Sequence, residues 1–599
     1  MNLLEMLTTP VKALVIALMA SAAVFAGCCR CCKECGNVTI DPAKAVIVNA
    51  AKGGELAAKE LAANLKEVTG VAIPVLAKAG PGQFAFVIDD RDVKDESFAW
   101  TVTATNAVFS GVAKFAVYDF LEDALGVRWP AEDIIAAPAM NPLVLAKGTV
   151  SGAPELNIRT VRYEAKRGMV EKNAVFMNRM RKGTHNGPKY GHAFTGHWKK
   201  YGKEHPEYFG MRKDGIRAPK SVKDASQLDN IAVFNAPNVH IAMCCTSTGL
   251  VAQIVKDWIA AGKPEYINLC ENDVPGQDSC HCPACEALDV VPEKLDKQWM
   301  TYYADRYVYF GNKVLAAAKP YRADVKVSYY AYNATQDAPK REHPAEASVI
   351  GIVPTVFTHD FIAKYVDSWS KTGAKHYFYR PNRHHYFNVP YLPVGSARHF
   401  YEIYQYIRQK GSIGFDYDSP SRTGFFQWFQ DYVLMHAMFD PSKDFAYWES
   451  HYFDAFGAGK ADAMAYYRYW EKVWDERLEP NLDDIIKKGK WFNFARGLQQ
   501  NLKDYYKADD FAAVEPYVAA VEAKAKTDSE KRLAKELRRA HEHAKVFYTV
   551  LTNRTKENTE KLIAFRKANG FPLYTWSEQY FGDLTGVEGL LGKEKKANP

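Results

Sequence analysis

Between Arg159 and Tyr417, short apolar runs alternate with stretches of helical periodicity, and this alternation constrains the fold more than any other feature of the chain. The runs are Arg159–Glu164, Gly191–Phe194, Ile241–Thr246, Tyr266–Asn272, Val325–Tyr332, Val349–Pro354, His376–Arg380 and Ile413–Tyr417. Helical patterns fill several of the gaps, at Gly249–Ala261, Lys297–Ala318, Asp360–Lys371 and Ser396–Lys410. Strands separated by helices lie parallel, because a parallel neighbour is reached only through a crossover. Eight such runs in about 260 residues match a (β/α)8 TIM-type barrel. The stretch from Trp198 to Asn238 reads as an elaborated loop over one face of that barrel.

The flanks follow other patterns. At 599 residues the chain is too long for one core. Val46–Val48, Phe84–Ile88 and Phe98–Ala104 read as strands. Glu55–Val68 reads as an amphipathic helix, with Leu56, Ala57, Leu61, Leu65 and Val68 on one face, and Ala113–Ala124 as a helix closed by Gly126. These elements make an α+β accessory domain over residues 38–150, with Pro138–Pro142 leading into a linker that ends near Pro154. The barrel occupies 155–440. Beyond it, Phe445–Trp474, Ala508–Lys526 and Ser529–Thr552 carry helical patterns, so residues 441–599 form an α-helical C-terminal domain. The fold class is therefore multidomain α/β.

The N-terminus reads as an export signal over residues 1–27. Lys12 precedes an apolar run, Ala13–Gly27, that ends in small residues. That run is short of the roughly 20 residues a membrane span needs. Phe25-Ala-Gly-Cys28 also resembles a bacterial lipoprotein box, which would place a lipid on Cys28 and tether an exported protein to a periplasmic or cell-surface membrane. Five of the 11 cysteines lie between Cys28 and Cys35, in a Cys-rich tether over residues 28–37. The net charge of +7 is small for this length and no dense Lys/Arg tract occurs, so nucleic acid is not an expected partner. Aromatic residues reach 13%, which suits both sugar clefts and ordinary cores.

The chemistry concentrates where Tyr266-Ile-Asn-Leu-Cys-Glu-Asn-Asp273 meets Cys280-His-Cys-Pro-Ala-Cys285. If the strand continues through Asp273, period-2 alternation puts Glu271 and Asp273 on one side, roughly 6–7 Å apart. Carboxylates at the C-terminal end of a barrel strand are placed for acid/base work. Asp416 and Asp418, at the end of the last run, share a side in the same way and are candidates for a second carboxylate. His192 and His197 fall near the end of the second run, and Arg380, His384, His385 and Tyr386 follow the seventh. Trp198, Tyr330 and Tyr332 are candidate stacking platforms. Cys280, Cys282 and Cys285 have the spacing of a metal-binding knuckle; a structural zinc there needs a fourth ligand, from His281 or Cys270. A disulfide or free thiols remain alternatives. No cofactor is expected for catalysis.

Four segments carry a resemblance. Glu60-Leu-Ala-Ala-Asn-Leu-Lys-Glu-Val-Thr-Gly70 and Ala116-Val-Tyr-Asp-Phe-Leu-Glu-Asp-Ala-Leu-Gly-Val-Arg-Trp129 resemble the accessory domains of family-67 α-glucuronidases and family-20 β-hexosaminidases. His205-Pro-Glu-Tyr-Phe209 and Asn272-Asp273 through Cys285 resemble the bacterial domain of unknown function 4838, grouped with glycoside hydrolases. The resemblance implies hydrolysis of O-glycosidic bonds in a polysaccharide or glycan, with Asp273 at the acidic position before the cysteines. Family-20 enzymes carry adjacent Asp-Glu where this chain has Glu-Asn-Asp, so their substrate-assisted mechanism is not implied. Glycosidases pair a protonated acid with an ionised base or nucleophile. Arg380 would suit a uronic acid, since its planar fork matches a carboxylate. The expected function is thus an exported glycoside hydrolase using Asp273 and Glu271, with Asp416 or Asp418 as partner. His192, Trp198, Tyr332, Arg380, His384 and His385 would hold the sugar. The alternatives are a non-catalytic surface glycan-binding protein on a degenerate barrel and a metal-dependent hydrolase built on His192, His197 and Asp273.

Overall fold

The computed structural model describes residues 36–156, 158–161, 170–183, 191–235, 239–274, 276–294, 300–354, 357–382, 391–417, 425–489, 494–573 and 583–591. The chain divides into two compact units, one of residues up to Val127 with Ala137–Ala153, the other of Arg128–Ala136 with the rest from Pro154.

The first unit holds a six-stranded mixed sheet and a two-stranded antiparallel ribbon. Its strands are β1 (Asn37–Ile40), β2 (Ala45–Asn49), β3 (Val75–Leu76), β4 (Phe84–Asp90), β5 (Phe98–Val102) and β6 (Asn106–Gly111). The second unit contributes β7 (Arg128–Ala131) and β8 (Ile134–Ala136), after which β9 (Leu143–Ala146) and β10 (Gly148–Gly152) return to the first. The sheet order is β10-β5-β6-β4-β2-β3, and β1 pairs with β9. The stretch expected as a linker after Pro142 therefore forms two strands. Alternation sets the buried face: Phe84, Phe86 and Ile88 of β4 turn inward while Ala85 and Val87 remain partly exposed. Helix Glu55–Thr69 stops at Gly70, whose φ of 73° is a left-handed cap conformation that glycine adopts without penalty. Helix Ala113–Asp123 brings Phe120 against Phe109 and Trp100, with ring centroids 5.2 and 5.5 Å apart. The result is an α+β layer pair.

The second unit is organised by a parallel sheet of six strands, β11 (Ile158–Val161), β12 (Tyr266–Asn268), β13 (Lys326–Ala331), β14 (Ser348–Ile352), β15 (His376–Tyr379) and β16 (Ser412–Tyr417). Their order is β11-β16-β15-β14-β13-β12, and every neighbouring pair is parallel. This is the circular order of a barrel, but two expected strands are missing from it. Gly191–Phe194 is irregular, and Ile241–Thr246 makes only one bridge, Met243 with Phe209. The eight-stranded expectation is corrected accordingly: among the described residues the sheet has six strands and stays open between β11 and β12.

Close approaches fix the strand faces. A Cβ at Gly311, on helix Ala304–Ala318, would lie 2.9 Å from the Tyr329 ring, so Tyr329 faces the helix layer. A Cβ at Gly351 would lie 2.8 Å from Tyr330, so Tyr330 lies flat across β14 on the opposite face. Helices Thr248–Ala260, Ala304–Ala318, His359–Ser370, Ala397–Gln409 and Phe425–Phe439 accompany the strands. Among the described residues from Phe445 on, every regular element is helical. Among the described residues no helix is long and apolar enough to cross a membrane.

Candidate active site

All six strands of the sheet run the same way, so their C-terminal ends share one edge. Glu271, Asn272 and Asp273 follow β12, Tyr330 and Tyr332 lie at the end of β13, Arg380 follows β15, and Asp416 lies near the end of β16. Strand β12 stops at Asn268, earlier than its apolar run suggests. The Asn268 side chain replaces a ladder partner: its Oδ1 accepts the Cys270 N–H at 2.9 Å and its Nδ2 donates to the Gly191 carbonyl at 3.0 Å. Beyond it the period-2 pattern ends, and the expected same-side pairing of Glu271 with Asp273 is not formed.

The two carboxylates have opposite environments. Glu271 is enclosed at its carboxyl end. It accepts the Met243 N–H at 3.1 Å, its neighbour Asn272 N–H at 2.7 Å, and the Tyr307 O–H. Burial pushes its pKa above the ordinary glutamate value, against the lowering effect of those donors. Asp273 is exposed. Its N–H donates to His240 Nδ1 at 3.0 Å, which puts the His240 proton on Nε2. His192 Nδ1 donates to the Glu271 carbonyl at 2.6 Å, and the rings of His192 and His240 stand edge to face with centroids 5.3 Å apart. Burial, then the neighbouring His192, lower the His240 pKa, and Asp273 opposes them. His240 is a site residue that sequence reasoning missed; its only signal is its place immediately before the Ile241 run.

The missing third strand is replaced by side-chain tethers. Asn272 Nδ2 donates to the Ile241 carbonyl at 2.8 Å, beside the Glu271–Met243 and His240–Asp273 bonds. The missing second strand is held similarly, by Ala193 N–H on the Cys270 carbonyl at 2.9 Å. A small cleft opens here, lined by Glu271, Asn272, Tyr307, Tyr330, Tyr332 and Asn333 among others. The Oδ1 atoms of Asn272 and Asn333 are buried on it without a hydrogen-bond partner among the described residues. Tyr330 accepts the Gly191 N–H at 2.7 Å through its hydroxyl and stands edge-on to the partly exposed Tyr332. The Arg380 guanidinium sits 5.5 Å from the Tyr330 ring centroid and donates to Asn382 Oδ1 at 2.8 Å. Arg380, Tyr330, Gly191, His192, Glu271, Asp273 and His240 thus form one continuous chain of contacts.

Other expected residues fall elsewhere. Asp416 is 4% exposed, in register with Thr160 of β11. Asp418, His384, His385, Tyr386 and Cys28 lie outside the described residues. Trp198 is corrected from a sugar platform to a core residue: it is fully buried, stacks on Phe234 at 5.1 Å, and donates its indole N–H to the Val233 carbonyl. His197 packs edge-on to Phe194 and Tyr201, and burial lowers its pKa to about 4. His192 spends its Nδ1 on a backbone carbonyl. Among the described residues His192, His197 and Asp273 do not converge as ligands, which removes the basis for the metal-hydrolase alternative.

The cysteine knuckle also differs in composition from expectation. Cys280, Cys282 and Cys285 are joined by Cys244, not by His281 or Cys270. His281 Nδ1 lies 2.9 Å from Glu286 Oε1 and its Nε2 3.2 Å from the Gln277 carbonyl. Cys270 packs with Tyr330 and Val353. Cys244 follows Met243 directly, so the segment that Glu271 tethers also enters the cysteine cluster.

Residues 129–469, more than half of the chain, match the sequence profile of a domain of unknown function, DUF4838. The chain belongs to the DUF4838 family. This DUF4838 protein is similar in structure to a family GH115 4-O-methyl-α-glucuronidase with specificity for decorated arabinogalactans, at 9% identity and a TM-score of 0.50, covering 92% of this chain and 78% of that one. It is also similar to the N-acetyl-β-hexosaminidase of Streptomyces plicatus, at 12% identity and a TM-score of 0.40 over 71% of this chain and 92% of that one. A third likeness is to a Flavobacterium johnsoniae chitobiase, at 10% identity and a TM-score of 0.42 over 93% and 97% of the two chains. At these identities the likeness is one of fold. No curated protein matches the chain by sequence.

Proposed function

We propose that this DUF4838 protein is a glycoside hydrolase that cleaves O-glycosidic bonds of a polysaccharide or glycan, with Asp273 as its acid/base carboxylate. The observation that carries the reading is the environment of Asp273: an exposed carboxylate at the C-terminal edge of a parallel sheet, beside His240 and in contact continuity with Tyr330 and Arg380. The glycosidase-like fold supports it. Glu271 acts as a positioning residue, since its carboxyl group holds the Met243 and Asn272 N–H groups and the Tyr307 O–H. The second carboxylate that glycosidases require is assigned to Asp416 or Asp418. Tyr332 offers a ring for stacking, and Arg380 favours a substrate bearing a uronic acid. The reading includes export and a lipid on Cys28, both resting on the N-terminal sequence.

A second reading, a glycan-binding protein on an incomplete barrel, is favoured by the open sheet and by the engagement of Glu271 in structural hydrogen bonds. A hydrolysis screen of aryl glycosides and uronic-acid-bearing glycans separates the two. Sugar release by the wild type, lost in folded Asp273→Asn, supports the enzyme. Release retained by the variant removes Asp273 from the chemistry. No release by either, with glycan retained on an affinity gel, supports the binding protein.

A further inference from the structure

We propose that Cys244, Cys280, Cys282 and Cys285 form a structural tetrathiolate zinc site. All four thiols are buried, and their sulfurs lie within 4.8 Å of one another. Cys244 Sγ is 3.8 Å from Cys282 Sγ and 3.9 Å from Cys285 Sγ. Four sulfurs around zinc at about 2.3 Å in tetrahedral geometry are separated by about 3.8 Å along each edge, so the sulfurs already stand at the spacing of a closed coordination shell. A disulfide would need two of them drawn to about 2.05 Å. All six cysteines of the described residues, these four included, are free thiols.

The surroundings suit thiolates rather than thiols buried as small hydrophobes. The Met211 N–H donates to Cys280 Sγ at 3.3 Å, and Thr246 Oγ1 lies 3.4 Å from Cys285 Sγ. The Arg217 guanidinium lies beside Cys244 and Cys282. Four thiolates and one Zn²⁺ leave two negative charges, and these donors with one arginine are the second shell such a charge calls for. Zinc takes this thiolate set readily and has no redox chemistry to lose.

The site would join three chain segments far apart in sequence. Residues 209–217 supply Met211 and Arg217, residues 243–246 supply Cys244, and residues 280–285 supply the rest. The backbone links among them are few: Cys244 N–H to the Tyr208 carbonyl at 2.9 Å, Gly210 N–H to the Ala242 carbonyl at 2.6 Å, and His281 N–H to the Met211 carbonyl at 2.7 Å. Where a barrel would have a strand ladder, zinc coordination supplies the missing folding energy. Because Met243 precedes Cys244, the ion also fixes the N–H that Glu271 accepts, and so the wall of the cleft. This inference is independent of the glycosidase reading.

The test uses the full-length protein purified under reducing conditions without chelator. One zinc per chain is expected, released to a chromophoric chelator only as four thiols react with an organomercurial. Exchange with Co²⁺ should give the intense visible bands of a tetrahedral tetrathiolate site. Cys244→Ser should lose its zinc on dialysis against a chelator that leaves the wild type loaded, while Cys270→Ser, outside the cluster, should retain it. The proposal is overturned if the folded, reduced wild type takes up neither Zn²⁺ nor Co²⁺. It is equally overturned if peptide mapping finds these four cysteines in disulfides, or if Cys244→Ser holds zinc as the wild type does. The mercurial titration is made on the wild type, so it stands even where a variant fails to fold.

Discussion

Replacing Glu271 by alanine should loosen the segment that stands in for the third barrel strand. The carboxyl group is the acceptor for the Met243 N–H and the Tyr307 O–H, and both residues are buried. The same carboxyl accepts the Asn272 N–H, so Glu271→Ala leaves three buried donors without a partner, each costing about 1–3 kcal/mol, or about 3–9 kcal/mol together. In a multidomain chain that loss is read locally, by hydrogen exchange at Met243 and Cys244, because global unfolding is not two-state. Two kcal/mol corresponds to roughly 30-fold faster exchange through local opening. Glu271→Gln keeps one carbonyl oxygen for Met243 and Tyr307 but turns an NH2 toward the Asn272 N–H, a loss of about 1 kcal/mol, or roughly fivefold. The two variants should also differ from wild type in pH dependence. Burial raises the folded-state pKa of Glu271 above its unfolded value of about 4.3. Its protonation therefore adds stability that is complete below about pH 4.3 and lost as pH rises through the folded value. The advantage of wild type over Glu271→Gln should grow as pH falls from neutral. Exchange at Met243 that rises less than about fivefold in Glu271→Ala, or equally in both variants, refutes the reasoning.

Three further outcomes follow from single contacts. Gly351→Ala places a Cβ 2.8 Å from Tyr330, whose hydroxyl is fixed on Gly191, so thermal unfolding should shift down by the equivalent of about 1–3 kcal/mol; Gly196→Ala, which meets nothing within 4 Å, should leave the midpoint unchanged. His197, lowered to about 4 by burial, should stay neutral down to about pH 5 in histidine-selective NMR, and stability, unaffected by it above the ordinary value of 6.5, should decline as pH falls from there toward 4 because only the unfolded chain takes up the proton; titration near 6.5 would contradict the burial. Tyr332→Ala should raise KM for a glycan roughly fivefold with kcat retained, the loss of about 1 kcal/mol of ring contact, and an unchanged KM would remove Tyr332 from the substrate path.

The sequence carries the second half of the sheet more faithfully than the first. Val325–Tyr332, Val349–Pro354, His376–Arg380 and Ile413–Tyr417 all contain strands, because each run is buried on both faces of a parallel sheet and flanked by amphipathic helices. Ile241–Thr246 misleads for a physical reason. Its Ile-Ala-Met-Cys-Cys core is buried, but against the cysteine cluster and the Glu271 and Asn272 side chains, and an apolar run does not say what buries it. Helix Phe425–Phe439 is nearly all buried, so it shows no polar stripe for periodicity to find. The knuckle Cys280-x-Cys282-x-x-Cys285 is visible as a spacing, whereas Cys244 comes 38 residues before Cys282 and is joined to it only by the fold. The expected same-side placement of Glu271 and Asp273 is not formed, because one asparagine, Asn268, ends the strand that alternation assumed would continue.

The most direct test of the glycosidase account follows the anomeric proton of released sugar by NMR, with wild type, Asp273→Asn and Glu271→Gln acting on the same uronic-acid-bearing glycan. The account predicts that Asp273→Asn loses about 10²–10⁴-fold in rate while folded, as removal of a general acid/base does, and that Glu271→Gln stays within about tenfold of wild type. Full activity in Asp273→Asn together with abolished activity in Glu271→Gln would contradict it, and would move the chemistry from the exposed carboxylate to the enclosed one.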